Sequence, residues 1–491
     1  MSISDSRVLV IGSGPSAFAC LSSILKSNKG IDVCVGSFHK SKSRSEGQRK
    51  VKLKLAKSVL VGREISSEYP CGPRLIQIDT AIRTSFNSGG LSLIWGAALP
   101  PIWDPSEVTW SRLMLDLILE LYSLSQYIPI SRIRSNQIAS INFVANTREI
   151  PISNRINQIF SMFSLNSHLS FGISSLAVKE TSKLDFFCES ENSKSSLSIN
   201  DLWVADLNSI INSKDLNTEL LENCRVIDLT EIVIFGEPMV AAKFQNDDGQ
   251  YFFRFYKKVF VAAGCVESFR IMSTSSLCPL ETKMLDTQII YLPIIDFSLN
   301  RIFKSLFDRR KQKVTFSQLW LKGETSNSTK YYLQFYELTR DLVLSISGVK
   351  GRLLRLIVPI IRHFTLIGIL YKDSSLSPTI HLYASNDGVE SKANVKNHIE
   401  DNKLREELTN EGRKVKLLCL FSFSLQGTPG ESAHFGAWAP MGKSTDNLGR
   451  FSPKSNIHVV DASVLPEILP GPITLFAMAN ASRISRQALL D

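Results

Sequence analysis

An α/β fold is predicted for this 491-residue chain, with a parallel sheet assembled from distant segments and interrupted by a region of antiparallel strands. Three observations predict it. Val8-Leu-Val-Ile-Gly-Ser-Gly-Pro-Ser-Ala17 reads as an apolar strand that passes through a glycine-rich turn into a small-residue helix. Lys257-Lys-Val-Phe-Val-Ala-Ala-Gly264 repeats the pattern of a buried strand ending in small residues. From residue 286 to residue 424 the character shifts to alternating strands, such as 331–336 and 342–346, before small-residue turn signals resume near 425.

Bulk properties narrow the class. The length argues for two domains or one large interrupted one. A hydrophobic content of 44% and a mean hydropathy of +0.03 are those of a folded globular protein and argue against general disorder. Residues 1–7 lack the regions of a signal peptide, and no run reaches the length of a spanning helix, so a cytoplasmic location is expected. The eight cysteines are scattered, with no Cys-x-x-Cys and no nearby His pairs, which reads as buried thiols and no metal site. Net charge is +10, much of it in residues 40–54. That run has no interleaved aromatics, so nucleic acid is the weaker reading. It fits a solvated loop after the second strand, or attraction to an anionic membrane or a phosphorylated substrate.

Along the chain, residues 7–11 form a strand, 16–26 a helix and 31–35 a second parallel strand. Residues 88–96 make a glycine-bracketed loop carrying Trp95, and 111–127 show helical spacing of Leu and Ile. The polar stretch 181–200 reads as surface loop. Short strands are expected at 224–227, 231–235 and 239–244, with Asp247-Asp248-Gly249 as a hairpin turn, and a helix from Glu267. Residues 352–371 are very apolar but carry three arginines and Pro359. They read as a buried helix or as a monotopic membrane contact suited to a greasy substrate.

The turn Gly12-x-Gly14-x-x-Ala17 has a direct physical reading. Glycines at 12 and 14 let a backbone approach a pyrophosphate, Ala17 allows close helix–strand packing, and the helix N-terminus faces the anion. The tail supplies an answering segment: a buried strand ending in Asp461, a Pro-broken loop, and a second helix start near Ile473. Together they point to a flavin held between the two ends of the chain.

In order and across most of its length the chain resembles the glucose–methanol–choline (GMC) family of flavin oxidoreductases. Gly12–Ala17 is similar to the family's ADP-binding start, and Gly89-Gly90-x-Ser92…Trp95-Gly96 to its flavin-side loop. Residues 259–270 resemble its strand–turn–helix with Ala263 and Gly264. His434 with Met441-Gly442, then residues 447–450 and Asp461-Ala462-Ser463, resemble its C-terminal segments. The resemblance implies a Rossmann-like FAD-binding domain interrupted by a substrate domain with an antiparallel sheet, and non-covalent FAD. It implies cofactor contacts at Gly12, Gly14, Pro15, Ser16, Ala17, Gly89, Gly90 and Ser92. Further contacts fall at Trp95, Val226, Ala263, Gly264, Asp461, Ala462, Pro472, Ile473 and Thr474. Trp95 reads equally well as a core aromatic.

His434 is the expected catalytic residue. Oxidising an alcohol needs a base for the hydroxyl proton while hydride leaves for flavin N5, and neutral imidazole suits that task. A structural, hydrogen-bonded His434 is the alternative. The chain departs from the family in two places. The second strand is followed by Gly36 and Ser37 where an acidic residue usually meets the ribose. The position of a second His or Asn beside the substrate hydroxyl falls on Pro470 or Gly471. Either His434 works alone, a partner comes from the substrate domain, or the reaction is not ordinary alcohol oxidation.

The expected organisation is an FAD-binding domain in three parts, 1–100, 201–285 and 425–491, with helical or lid elements at 101–200 and a substrate domain at 286–424. The expected function is FAD-dependent oxidation of a CH–OH group on a small-molecule alcohol, sugar- or lipid-linked or neither, with the electron acceptor left open. The alternatives are a flavoprotein of different chemistry (reductase, isomerase or desaturase) and a non-catalytic FAD-fold binding protein.

Overall fold

The computed structural model describes residues 8–27, 33–36, 74–85, 89–93, 98–99, 108, 110–124, 130–131, 154–166, 169–177, 205–211, 218–222, 224–246, 248–307, 317, 319–338, 360–385, 388–393 and 402–490. The basic run 40–54, Trp95 and the stretches 181–200 and 342–346 lie outside the described residues.

Apolar runs such as Val8–Ile11 and Lys258–Val261 lack hydrophobic–polar alternation, which suits strands buried on both faces. They stand at the centre of a five-stranded sheet ordered Ile457–Val459, Lys258–Val261, Val8–Ile11, Val33–Gly36 and Thr218–Leu221. Every pairing in it is parallel. The first helix, Pro15–Ser27, packs on the last, Thr474–Ala488, where the Ser23 hydroxyl donates to the Ser482 carbonyl at 3.1 Å. Both helices join the largest hydrophobic cluster through Leu21, Ile24, Met478 and Ile484.

A three-stranded antiparallel sheet follows, made of Cys224–Ile234, Glu237–Asn246 and Tyr251–Tyr256. The two short strands expected at 224–227 and 231–235 are one continuous strand. The polar residues that read as a break, Asp228 and Thr230, pair through their backbones with Lys243 and Ala241, and their side chains are partly or fully exposed.

The large antiparallel sheet runs in the order Leu417–Cys419, Ile289–Asp296, Thr365–Lys372, Lys330–Glu337, Leu319–Glu324 and Ser170–Ile173. Its alternation is strict. Leu292, Leu333, Phe335 and Leu370 point to one face and bury against Ile156 and Phe163 of one helix and Leu404 and Leu408 of another. Tyr291, Trp320, Tyr332, Tyr336 and Tyr371 point to the other. The apolar run 352–371 is described from Ile360 onward. Residues 360–361 end a helix, with Ile360 67% exposed, and the helix reading fails only beyond them, where Thr365–Lys372 is a central strand of the large sheet. Residues 366–371 have no charged side chain because both faces of that strand are covered. Among the described residues no helix is long and apolar enough to cross a membrane.

A further sheet joins these parts, ordered Phe435–Gly436, Glu281–Asp286, Ile380–Ser385, Gly388–Ala393 and Arg74–Ile78. The chain leaves it at Asp286 and enters the large sheet at Ile289. Cys20, Cys224, Cys265, Cys278 and Cys419 are free thiols, and burial pushes the Cys20 and Cys265 thiols well up.

Candidate active site

The first strand ends at Ile11 and the chain turns at Gly12 with φ of 122°, a backbone region that L side chains rarely adopt. A Cβ at Gly12 would lie 2.2 Å from the Ala262 carbonyl oxygen, so two post-strand turns are in backbone contact. Gly90 approaches the same place, and a Cβ on it would stand 3.0 Å from the Gly14 Cα. The Gly89 N–H donates to the Ser13 carbonyl at 3.2 Å. Pro15 opens the first helix, where a missing N–H is harmless, and Ser16 and Ala17 are buried behind it. The Ser92 hydroxyl donates to the Gly89 carbonyl at 2.6 Å and accepts from the Ala205 N–H at 3.0 Å, which fixes the loop. The result is a cradle of bare backbone at a helix N-terminus.

Ala263 and Gly264 continue from this contact into the helix Cys265–Thr274. Asp461 ties that turn to the tail. Its Oδ2 accepts from the Gly264 N–H at 2.9 Å and the Ser268 hydroxyl at 2.5 Å, and its Oδ1 from the Ser463 N–H at 2.9 Å. Burial pushes the Asp461 carboxyl up, against the pull of those donors. The next residue, Ala462, accepts from the Ala437 N–H at 2.9 Å, and a Cβ on Gly436 would lie 2.4 Å from its carbonyl oxygen. Val226 lies in the long strand Cys224–Ile234, where its carbonyl accepts from Arg270 at 2.6 Å. Pro472 and Ile473 are buried, and Thr474 begins the last helix with no side chain capping it. Its first-turn N–H groups are therefore open to a ligand.

His434 immediately precedes Phe435–Gly436, whose partners are Leu285 and Asp286. The loop before it is pinned along its length by the chain from 286 to 291. Asp286 accepts from the Gly430 N–H at 2.8 Å and the Ser432 hydroxyl at 2.7 Å, and the Ser432 oxygen accepts from the His434 N–H at 2.8 Å. Thr287 donates to the His434 carbonyl through its N–H and its hydroxyl, each at 3.3 Å. Tyr291 donates to Glu431 at 3.0 Å. Asp286 is 1% exposed, and burial pushes its pKa up to about 6 although Gly430 and Ser432 favour the charged form. The flanking residues Ala433 and Ala437 hold φ of 58° and 53°, uncommon for alanine and evidence of a tightly determined loop.

The His434 ring stacks on Tyr371, with centroids 5.1 Å apart and planes 29° apart. Tyr371 lies 6.0 Å from Tyr332, which stacks in turn on Trp320 at 6.3 Å. Thus the tyrosine-bearing face of the large sheet is turned toward His434. It also meets the tail, since a Cβ on Gly471 would lie 2.8 Å from the Tyr332 ring. His458 has a different setting. It sits in the strand Ile457–Val459 with its Nδ1 2.9 Å from the Leu448 carbonyl, and burial lowers its pKa to about 4, so it stays neutral.

The predicted residues from Gly12 to Ser92 meet in one cradle. Contacts through Ala262, Gly264, Asp461, Ala462 and Gly436 lead without interruption from that cradle to His434. Sequence reasoning missed Asp286, Thr287, Ser432, Tyr332 and Tyr371. The only signal was the cluster of three tyrosines in one predicted strand, 331–336.

No family model matches the chain, and no curated protein sequence matches it. Among solved structures, the crystal structure of pyridoxine 4-oxidase from Mesorbium loti has a similar fold, with a TM-score of 0.62. The match covers 99% of this chain and 100% of that one at 13% identity. The chain therefore shares the mixed α/β, multi-sheet fold of that structure.

Proposed function

We propose that the protein is an FAD-dependent oxidoreductase that oxidises the CH–OH group of a small-molecule alcohol, with His434 as general base. The observation that supports it best is the unbroken run of contacts from the glycine cradle to a buried, aromatic-flanked histidine. The fold of an oxidase supports it too.

The cradle fits the cofactor. Gly12, Gly14, Gly89 and Gly90 leave backbone without side chains at the start of the first helix, the place for a pyrophosphate. The uncapped start of the last helix suits the electron-rich edge of a flavin ring. When bound, FAD supplies the two-electron acceptor. His434 takes the hydroxyl proton on its imidazole. Tyr371 holds the plane of that ring by stacking, and Asp286, through Ser432, sets the height of the backbone that carries it. Packed tyrosines around it keep water away, which strengthens the polar contacts that remain.

A second reading, a flavoprotein of different chemistry, is favoured by one observation: Pro470 and Gly471 offer no proton-handling side chain. Both readings face the same test. Purified protein is expected to be yellow, to release FAD on acid precipitation, and to lose its flavin absorbance on anaerobic mixing with a primary alcohol such as pyridoxine or benzyl alcohol. A colourless protein that cannot be reconstituted with FAD sinks both. Flavin that binds but is not bleached by any alcohol of a broad panel leaves the second.

A further inference from the structure

The tail position from which a second hydroxyl-facing side chain was expected is Gly471, and the structure shows what occupies its space. The Cβ direction of Gly471 runs into the Tyr332 ring, with Cδ1 at 2.8 Å, Cγ at 3.1 Å and Cε1 at 3.3 Å. Gly471 also holds φ of 103°, so a side chain is excluded there twice over.

Tyr332 is not ordinary core. It is 1% exposed, its ring lies between Trp320 and Tyr371, and Tyr371 stacks on His434. Its hydroxyl has no hydrogen-bond partner among the described residues, although the Gln334 side chain is its polar neighbour. Gln334 is likewise 1% exposed. Its Oε1 accepts from Tyr336 at 2.8 Å and Tyr371 at 3.3 Å, while its Nε2 has no partner among the described residues. Two neighbouring groups on one strand, the Tyr332 hydroxyl and the Gln334 amide N–H, therefore lie within reach of each other without a hydrogen bond of good geometry. Buried polar groups in that condition are rare and call for an explanation.

We propose that Tyr332 and Gln334 form a hydroxyl-binding subsite that works opposite His434, in place of the side chain absent at Gly471. The proposal rests on the alcohol-oxidation reading and deepens it. The phenol O–H and the amide N–H hold the substrate oxygen, and Gly471 is glycine because Tyr332 needs the space. Here Tyr332 is a substrate-binding residue, and His434 remains the group that takes the proton.

The test uses FAD-loaded wild type and Tyr332→Phe, which keeps the ring and removes only the hydroxyl. Three quantities are measured: the thermal midpoint, the rate of flavin bleaching by benzyl alcohol and pyridoxine, and the affinities for benzyl alcohol and its hydroxyl-free analogue toluene from flavin difference spectra. The midpoint is expected to stay or rise, because the removed hydroxyl had no partner. Affinity for benzyl alcohol should fall about 5- to 10-fold, the worth of one neutral hydrogen bond, with toluene unchanged. Bleaching should weaken mainly through a higher KM, with the maximal rate changed less. A drop in the midpoint marks a structural hydroxyl and overturns the proposal. Equal preference for benzyl alcohol over toluene in both proteins, or no preference in the wild type, overturns it as well. If neither alcohol bleaches the wild type, the oxidation reading is what fails, and the affinity arm still decides whether the subsite exists.

Discussion

The cradle around Gly12 and the surroundings of His434 are built on opposite principles. The cradle is made of absences: Gly12, Gly14 and Gly90 are placed so that backbone meets backbone, and the Ser92 hydroxyl serves only to tie its own loop. The histidine site is made of side chains, with Asp286, Tyr371 and Tyr332 arriving from strands far from residue 434 in sequence and Ser432 from the loop just before it. A site that presents N–H groups to a phosphate needs nothing but chain geometry. One that handles a proton needs particular groups at particular distances. The two should therefore fail in different ways when mutated.

The largest expected effect is at the cradle. Gly12→Val should abolish flavin retention, because even its Cβ would collide with the Ala262 carbonyl. Gly14 sharpens the point. A Cβ there meets only the Gly90 Cα at 4.0 Å, so Gly14→Val should fold as well as wild type and still lose flavin if the pyrophosphate passes over it. The ratio of flavin to protein absorbance, read beside circular dichroism, separates the two cases. A Gly14→Val protein that keeps a full complement of FAD breaks the cradle assignment.

Next in size is His434→Ala. It should keep FAD but slow flavin bleaching by roughly 100-fold or more, the usual scale for a lost acid–base group. Ser432→Ala should have a smaller effect. It removes the oxygen that links Asp286 to the His434 N–H, and a loss of about 10-fold is expected from a loosened backbone. Stopped-flow reduction of matched, fully loaded proteins measures both. Wild-type rates in either would show that the pinned loop has no part in the chemistry.

The same contrast explains what the sequence made legible. Close backbone approach requires glycine at fixed short spacings, so Gly12, Gly14 and Gly90 could be read locally. His434 was found through its context of neighbouring motif residues. Asp286 could not be found that way: its partner Ser432 is 146 positions distant, and only the register of Phe435–Gly436 on Glu281–Asp286 brings the two together. Tyr332 and Tyr371 face His434 because alternation on two strands puts them on one side of the sheet. Composition could not say which side that was. The misreading of residues 365–371 within the run 352–371 has the same origin. An apolar run with arginines has no period to distinguish a helix from a strand covered on both faces, and only its pairing with Ile289–Asp296 and Lys330–Glu337 decides.

The smallest effect at any single pH comes from Asp286, and it sets stability against function. Burial raises its pKa from an ordinary 3.8 to about 6, so the folded protein holds this proton more tightly than the unfolded chain does. A raised folded-state pKa contributes stability in full below the unfolded value, and that contribution is lost as pH rises through about 6. The slope is at most about 1.4 kcal/mol per pH unit between those limits. Yet the ionised carboxylate is the form that accepts from both Gly430 and Ser432 and so positions His434. Ionising Asp286 thus improves the site while it weakens the fold. Asp286→Asn cannot ionise. Relative to wild type its stability should rise between pH 4 and pH 6 and level off above, while its rate of flavin bleaching should stay below wild type at pH 7. Urea titrations of the two proteins at several pH values, taken as a difference so that other groups cancel, measure the slope. A flat difference across that window would mean Asp286 titrates like a solvated carboxylate and is not part of the buried joint that carries His434.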